Sequence, residues 1–289
     1  MAVLLHVLCI LLILLTPLSY LPLYRGLFLL RSENGISVTA TLLLALCAQS
    51  QVATIYYLWA CPPFKRDGQV VPKPPLSVDY LNLVQLLLQW ICSILLLAFL
   101  LVVRTGAQTN LQRGPATATT TTTNDSTFPS NKTAVTLLTL HASLCVFWAI
   151  LAGQPRDDWL DLPFVTIMGI NEYCINPLVT IATGVAFALQ IGTAKESQGT
   201  SAVNRTTLLP QAVIFLALAV SWPFRFQVPK NLRSQGNWWL VEEWYPLVGW
   251  TCINNAVIAI GQGIVLYAAS RRADSGEEPD RERQALLTT

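Results

Sequence analysis

Charged side chains are scarce in this chain. Asp, Glu, Lys and Arg make up 12% of its 289 residues, about half of their share in soluble domains. The 18 basic and 16 acidic residues leave a net charge of only +2, which provides no field that would attract nucleic acid. Hydrophobic residues reach 53%, and this composition is typical of a chain that lies in a lipid bilayer.

The residue types that hold metals or perform catalysis are also few. There are two histidines, His6 and His141, and none of the seven cysteines forms a C-x-x-C pair of the kind found in zinc sites. The sequence shows no glycine-rich phosphate loop and no recognisable set of nucleophile, base and orienting group. We therefore expect neither a metal nor a cofactor.

Seven stretches lack charged residues over the length that a membrane requires. A helix needs about 20 apolar residues, at about 1.5 Å each, to cross the hydrocarbon core. The first stretch is interpreted as a span and not as a signal peptide, because no basic residue precedes its apolar run. The sequence thus predicts an all-α membrane protein with seven transmembrane helices. The predicted spans are residues 1–24, 36–64, 80–103, 133–155, 173–194, 206–224 and 244–270.

The longest polar connection, after the third span, is rich in threonine and contains nothing that could form a core. It divides the chain into three spans, one span and three spans. We therefore expect two three-helix bundles joined by a linker helix. The segments are a first bundle, 1–104, a flexible linker, 105–132, the linker helix, 133–155, a second bundle, 156–270, and a disordered cytosolic tail, 271–289.

The distribution of Lys and Arg indicates the orientation of the chain. With a lumenal or extracellular N-terminus, eleven of the 18 basic residues lie in cytosolic segments and the other seven lie outside, in agreement with the positive-inside rule. The C-terminus is then cytosolic. Three glycosylation triplets, which begin at Asn124, Asn131 and Asn204, also become cytosolic, and we expect them to be unused.

A short repeat marks equivalent points in the two halves. An amide residue followed by Gly-x-Ser occurs at Gly35 and Ser37 after the first span, and again at Gly199 and Ser201 after the fifth. Each glycine can adopt the positive φ of a turn that ends a helix. Each serine can cap the helix that follows. The repeat favours two related three-helix halves.

The residues around the first turn resemble a known family. The segment from Tyr20 to Ser37 reads YLPLYRGLFLLRSENGIS and is similar to a PQ-loop, in which Pro-Gln precedes a Ser-x-x-Gly-x-Ser pattern. This signature recurs in the first and fifth helices of seven-helix proteins such as cystinosin-type transporters and SWEET sugar transporters. Residues 17–104 look most similar to a fungal branch of the PQ-loop family. The resemblance implies the arrangement of three, one and three helices, and transport by alternating access.

The sequence also departs from the family pattern. Leu23 stands where the first motif has its glutamine. In the second half Gln190 is present, but Leu189 replaces the proline, and the Pro-Gln pair at 210–211 follows the second turn instead of preceding it. The resemblance therefore implies neither a particular substrate nor proton coupling.

Polar residues inside apolar spans are candidates for a solute path. Amides can bind a polar solute or join helices to one another, and both roles remain open. Glu172 lies about 15 Å inside the membrane if the fifth helix starts at residue 162, or at the interface if it starts at Tyr173. Prolines at two points would interrupt helices and act as hinges. The candidates are Pro22, Gln49, Gln51, Gln85, Gln89, Glu172, Asn176, Pro177, Gln190, Asn254, Asn255 and Gln262.

These observations favour movement of a small polar solute, of the amino acid or sugar class, across a membrane. One alternative is a membrane enzyme of the terpene-cyclase type, which would use an acid in an apolar cavity. Another is a receptor or sorting protein on the same scaffold that transports nothing.

The C-terminal tail carries a candidate sorting signal. Glu282 precedes the pair Leu286 and Leu287 by four residues, which resembles the acidic dileucine signal that clathrin adaptors bind. The signal favours a vacuolar or endosomal membrane over the plasma membrane. The expected partners are thus the lipid bilayer, a small polar solute and clathrin adaptors.

Overall fold

The computed structural model describes residues 2–30, 35–60, 71, 74–112, 129–152, 166, 169–196, 205–225, 244–245 and 249–287. Within these residues the protein is all-α. They form seven long helices and two short helical turns. The helices are α1 (Ala2–Leu30), α2 (Val38–Ala60), α3 (Ser77–Gln112), α4 (Asn131–Ala152), α5 (Asn176–Glu196), α6 (Arg205–Ser221) and α7 (Trp250–Leu287).

All seven helices are long and apolar enough to cross a membrane, so the prediction of seven spans is confirmed and the chain is a multi-pass membrane protein. The sixth span, Thr206–Phe224, has the predicted bounds, and the others shift by a few residues. Helix α1 continues past Arg25 to Leu30, beyond the predicted end of the first span. A long arginine side chain can extend toward the membrane surface from such a position, so it does not end the helix.

The helices pack in a regular pattern among the described residues. In the first half, α3 lies between α1 and α2, and in the second half α7 lies between α5 and α6. The halves meet where α1 packs on α6 and where α2 packs on α5. Helix α4 packs chiefly on α2.

Side chains from both halves form one apolar core. Trp222, Trp250 and Phe215 are its largest fully buried members, and Tyr20 of α1 meets the Phe215 ring of α6 edge to face, with 6.4 Å between ring centroids. At Gly261 a Cβ would overlap the ring of Phe187, so the glycine allows α7 to lie close against α5.

The outer surface is apolar as well. Leu14, Leu140 and Ile181 are more than half exposed, as expected of side chains that contact lipid. The exposure is greatest on α4, where only 6% of the residues in the most apolar stretch are buried. Most of the surface of α4 therefore faces the bilayer.

Two expectations about flexible segments differ from the structure. Helix α3 continues to Gln112, inside the segment 105–132 that we expected to be a flexible linker, and residues 113–128 lie outside the described part. Helix α7 continues to Leu287, where we expected a disordered tail over 271–289. The extension of α7 contains many Arg, Glu, Ala and Leu residues, which favour helix even in polar sequence.

Candidate functional site

A central cavity lies where the two halves of the protein meet. It holds about 840 Å³ of space, its open part included. Six helices, all but α4, contribute to its wall. The lining residues with polar side chains are Tyr20, Thr41, Cys47, Gln51, Gln89, Ser93, Thr183, Gln190, Gln211 and Gln262.

Four glutamines in this wall have amide atoms without a protein partner. Gln51 and Gln89 are each 3% exposed, and the Oε1 atom of each accepts no hydrogen bond. Gln262 donates from Nε2 to Oε1 of Gln211 over 2.9 Å, which leaves Nε2 of Gln211 and Oε1 of Gln262 unpartnered. Buried amide atoms without partners are costly. The cavity therefore offers three acceptors and one donor to a polar solute.

The cavity wall contributes no formal charge. Apart from the amides, its polar groups are hydroxyls and one thiol, and none of the described residues that line it is Asp, Glu, Lys, Arg or His. The rest of the wall is apolar, with Leu96, Phe187 and Ile258 among its members. Such a wall suits a solute that forms hydrogen bonds and also presents apolar faces.

One end of the cavity is bounded by a contact between the two halves. Gln190 of α5 donates from Nε2 to the carbonyl oxygen of Gly35 over 2.6 Å, and its Oε1 accepts from the backbone N–H of Ser37 over 2.9 Å. Gly35 has φ of 83°, in the left-handed region that favours glycine. The Ser37 hydroxyl accepts from the N–H of Ala40 over 3.2 Å and caps α2. We call this contact the Gln190 clamp.

Other predicted amides lie outside the cavity. Gln85 donates from Nε2 to Oγ1 of Thr16 over 2.7 Å and joins α3 to α1. Asn254 accepts from the hydroxyl of Thr180, and Asn255 donates to a carbonyl one turn earlier in α7. Gln49 is buried with neither side-chain amide atom partnered. Among these four residues, Gln85 and Asn254 join helices to one another.

The region around Glu172 forms a π-helical turn, Asn171–Ile175, directly before α5. Asn176 donates from its backbone N–H to the Asn171 carbonyl, five residues back. Pro177 follows in the first turn of α5 and has no N–H to continue the pattern, and a wider turn before it relieves the clash of its ring with the preceding carbonyl. The chain thus changes its helical pattern here without a break.

Glu172 lies at the end of the fifth span, which runs Asn171–Glu196 among the described residues. Residues 169–170 are helical as well, and residues 167–168 lie outside the described part, so both interpretations of the depth of Glu172 stay open. It is 7% exposed, and its Oε1 has no partner. It does not line the central cavity.

The two proline candidates differ in position. Pro22 lies well inside α1, together with Pro17, and its neighbour Leu23 lines the cavity. A proline inside a helix leaves the carbonyl four residues earlier without its usual donor. Pro22 therefore interrupts the backbone hydrogen bonds of α1 beside the cavity, whereas Pro177 lies in the first turn of α5.

Two further features were missed in the sequence. Gln211 was set aside because it does not fit the motif, yet it lines the cavity, and its position within an apolar span was the available signal. A second space, of about 540 Å³, lies between α2, α4 and the π-helical turn. In it the Ser50 hydroxyl and Nε2 of His141 are 3.1 Å apart, so this pair joins α4 to α2.

Five predicted residues lie wholly or partly outside the described part of the chain. Gly199 and Ser201 lie outside the described residues, so the second turn of the repeat stays a prediction. Glu282, Leu286 and Leu287 are on the described backbone of α7, but their side chains are outside the described part. The sorting signal therefore also stays a prediction.

Comparison with known protein families, curated proteins and solved structures gave no match to this chain. The resemblance to PQ-loop proteins therefore stays an expectation from the sequence. The geometry of the cavity is the remaining guide to function.

Proposed function

We propose that this protein moves a small polar solute across a membrane by alternating access, with the two halves α1–α3 and α5–α7 as the moving bundles and α4 as the link. The observation that carries the proposal is the central cavity, which lies between the halves and presents unpartnered amide groups of Gln51, Gln89, Gln211 and Gln262.

The packing of the helices supports two equivalent bundles. The first helix of each half packs on the second helix of the other half: α1 packs on α6, and α5 packs on α2. The third helix of each half, α3 or α7, packs on the other two helices of its own half. A site at the interface of two related halves is the usual place for a transported substrate.

The two ends of the cavity have different roles in this proposal. The Gln190 clamp holds α5 to the turn before α2 and closes the end that our predicted topology places in the cytosol. Pro22 lies in a helix of the first bundle beside the cavity and provides the hinge. A cyclase is not supported, because Glu172 lies apart from the cavity.

Uptake into proteoliposomes tests the proposal. Purified protein would be screened with radiolabelled neutral amino acids and sugars, first in wild type and then in Gln51→Leu. Loss of one hydrogen bond to the solute is worth about 1 kcal/mol and should lower the uptake rate at limiting solute roughly fivefold to tenfold.

The matched control is Gln49→Leu, the same substitution two residues away on α2. Gln49 is buried and unpartnered but does not line the cavity, so its uptake should remain near that of wild type. Equal losses in both variants would contradict the assignment of the cavity as the solute site. Absence of uptake for every solute in wild type would contradict transport itself.

A further inference from the structure

A buried arginine lies at the end of the bundle opposite the Gln190 clamp. Arg225 follows the sixth span and a short 3-10 turn, Trp222–Phe224, and is only 4% exposed. Consecutive helices run in opposite directions, so the end of α6 meets the starts of α1 and α3. Arg225 directly follows the last residue of the sixth span, so we expect it near the membrane interface, where lipid phosphates lie.

The guanidinium group is held by neutral groups from two helices. Its Nη2 donates to the Ser221 hydroxyl over 2.9 Å, and its Nη1 donates to Oδ1 of Asn82 over 3.4 Å. It also lies over the Trp222 ring, 4.9 Å from the ring centroid. These contacts fix the plane of the guanidinium but do not neutralise its charge.

The cluster has a positive charge, and the described residues supply no anion to pair with it. Burial lowers the pKa of Arg225, and Cys9 beside it opposes that shift, but arginine remains charged because its ordinary pKa is above about 12. No carboxylate of the described residues pairs with it. Asp79, one turn before Asn82 on α3, accepts instead from the N–H of Leu76 over 2.8 Å.

Two donors in the cluster are also unused. Nε of Arg225 and Nδ2 of Asn82 are buried and have no acceptor, and Asn82 is fully buried. A buried charge without a counter-ion among the described residues and two buried donors without acceptors are both costly. One oxyanion would satisfy all three requirements, since guanidinium and amide N–H groups are common ligands of phosphate oxygens.

We infer that Arg225, Asn82 and Ser221 form a binding site for a phosphate group, which stabilises the protein by neutralising Arg225. The phosphate group comes from an anionic phospholipid or from free phosphate, because both present the same oxygens. The site does not line the solute cavity, so this inference does not depend on the proposed transport.

The test is thermal unfolding of the full chain in nanodiscs, followed by the fluorescence of its nine tryptophans. One arm adds inorganic phosphate to phosphatidylcholine nanodiscs, against chloride at equal ionic strength. The other arm replaces part of the phosphatidylcholine by phosphatidic acid. The site predicts that the Tm of wild type rises by about 3 °C or more in at least one arm. A rise with inorganic phosphate identifies the free ion as a ligand, and a rise with phosphatidic acid alone identifies the lipid.

Two variants and a control make the test specific. Arg225→Gln should abolish the rise in Tm. Asn82→Asp places a carboxylate beside Nη1, so it should raise the Tm without phosphate and remove the response to it. Arg104→Gln, which alters another buried arginine that donates to the Pro129 carbonyl over 2.8 Å, should keep the response.

Several results would overturn the inference. If the Tm of wild type rises in neither arm, phosphate is not the counter-ion of Arg225. A response that persists in Arg225→Gln belongs to another site. If Arg225→Gln does not fold, Asn82→Asp still decides, because a lower Tm or an unchanged phosphate response in that variant contradicts the site.

Discussion

Gln190 and Gly35 are 155 residues apart in the chain, and the Gln190 amide donates to the Gly35 carbonyl over 2.6 Å. The same side chain also accepts from the N–H of Ser37. Both halves of the protein thus meet at one side chain, on the border of the central cavity. Opening this end of the cavity requires that both hydrogen bonds break.

We expect Gln190→Ala to open the cavity more often at this end. Two lost hydrogen bonds are worth about 1–3 kcal/mol, which corresponds to roughly a fivefold to 150-fold increase in the open fraction. Cys47 lines the cavity and is 5% exposed, so it serves as a native probe. Its labelling by a membrane-impermeant maleimide, followed by peptide mass spectrometry, should accelerate by a similar factor.

The control for this experiment is Thr193→Ala, near the same end of α5. The Thr193 hydroxyl donates only within its own helix, to the Leu189 carbonyl, so the labelling rate of Cys47 should not change. An equal rate in wild type and Gln190→Ala would show that the clamp does not close the cavity.

Two carboxylates that are buried among the described residues should respond in opposite ways to neutral substitutions. Glu172→Gln replaces a buried acid whose Oε1 has no partner and should raise the Tm by a few degrees, because burying an amide costs less than burying a charge. Asp79→Ala removes the acceptor of the Leu76 N–H at the start of α3 and should destabilise the protein by about 1 kcal/mol. Thermal unfolding at pH 7 measures both. A marked fall in Tm for Glu172→Gln would mean that this carboxylate has a stabilising role.

Asn131 should carry no glycan, although it begins a glycosylation triplet. Its Nδ2 donates to Oγ1 of Thr105 over 2.8 Å and to the Leu101 carbonyl, so the nitrogen that a glycan would occupy joins α4 to α3. Glycosidase treatment should leave the electrophoretic mobility unchanged. As a positive control, Arg233→Thr creates a triplet at Asn231 on the predicted lumenal side and should add a glycan. The reverse pattern would invert the topology.

The candidate sorting signal predicts a change of compartment. Leu286→Ala with Leu287→Ala should move a tagged protein from a vacuolar or endosomal membrane to the cell surface, because the adaptor would lose its apolar contact. Glu282→Ala should have a weaker effect in the same direction. Substitution of Thr288 and Thr289 is the control. Fluorescence microscopy that finds the double leucine variant in the wild-type compartment would exclude the signal.

The spans could be predicted from the sequence, but membership of the cavity could not. The thickness of the bilayer sets the length of each apolar stretch, which is why the sixth span was predicted to the residue. Gln49 and Gln51 are both amides in α2, yet only Gln51 lines the cavity. The rotation of α2 about its own axis, relative to α3 and α5, decides which of the two glutamines faces the cavity. A single sequence carries no information about this rotation.

Helices α2 and α4 differ in how much of their surface other helices cover, and this difference has a consequence for biosynthesis. In the most apolar stretch of α2, 67% of the residues are buried, against 6% in α4. Helix α4 can therefore leave the translocon and enter lipid alone, whereas α2 carries Gln49 and Gln51, whose transfer to lipid is unfavourable. We therefore expect stable insertion of α2 to await the synthesis of α3. Nascent chains that stop before α3 should resist alkali extraction less than chains that include it.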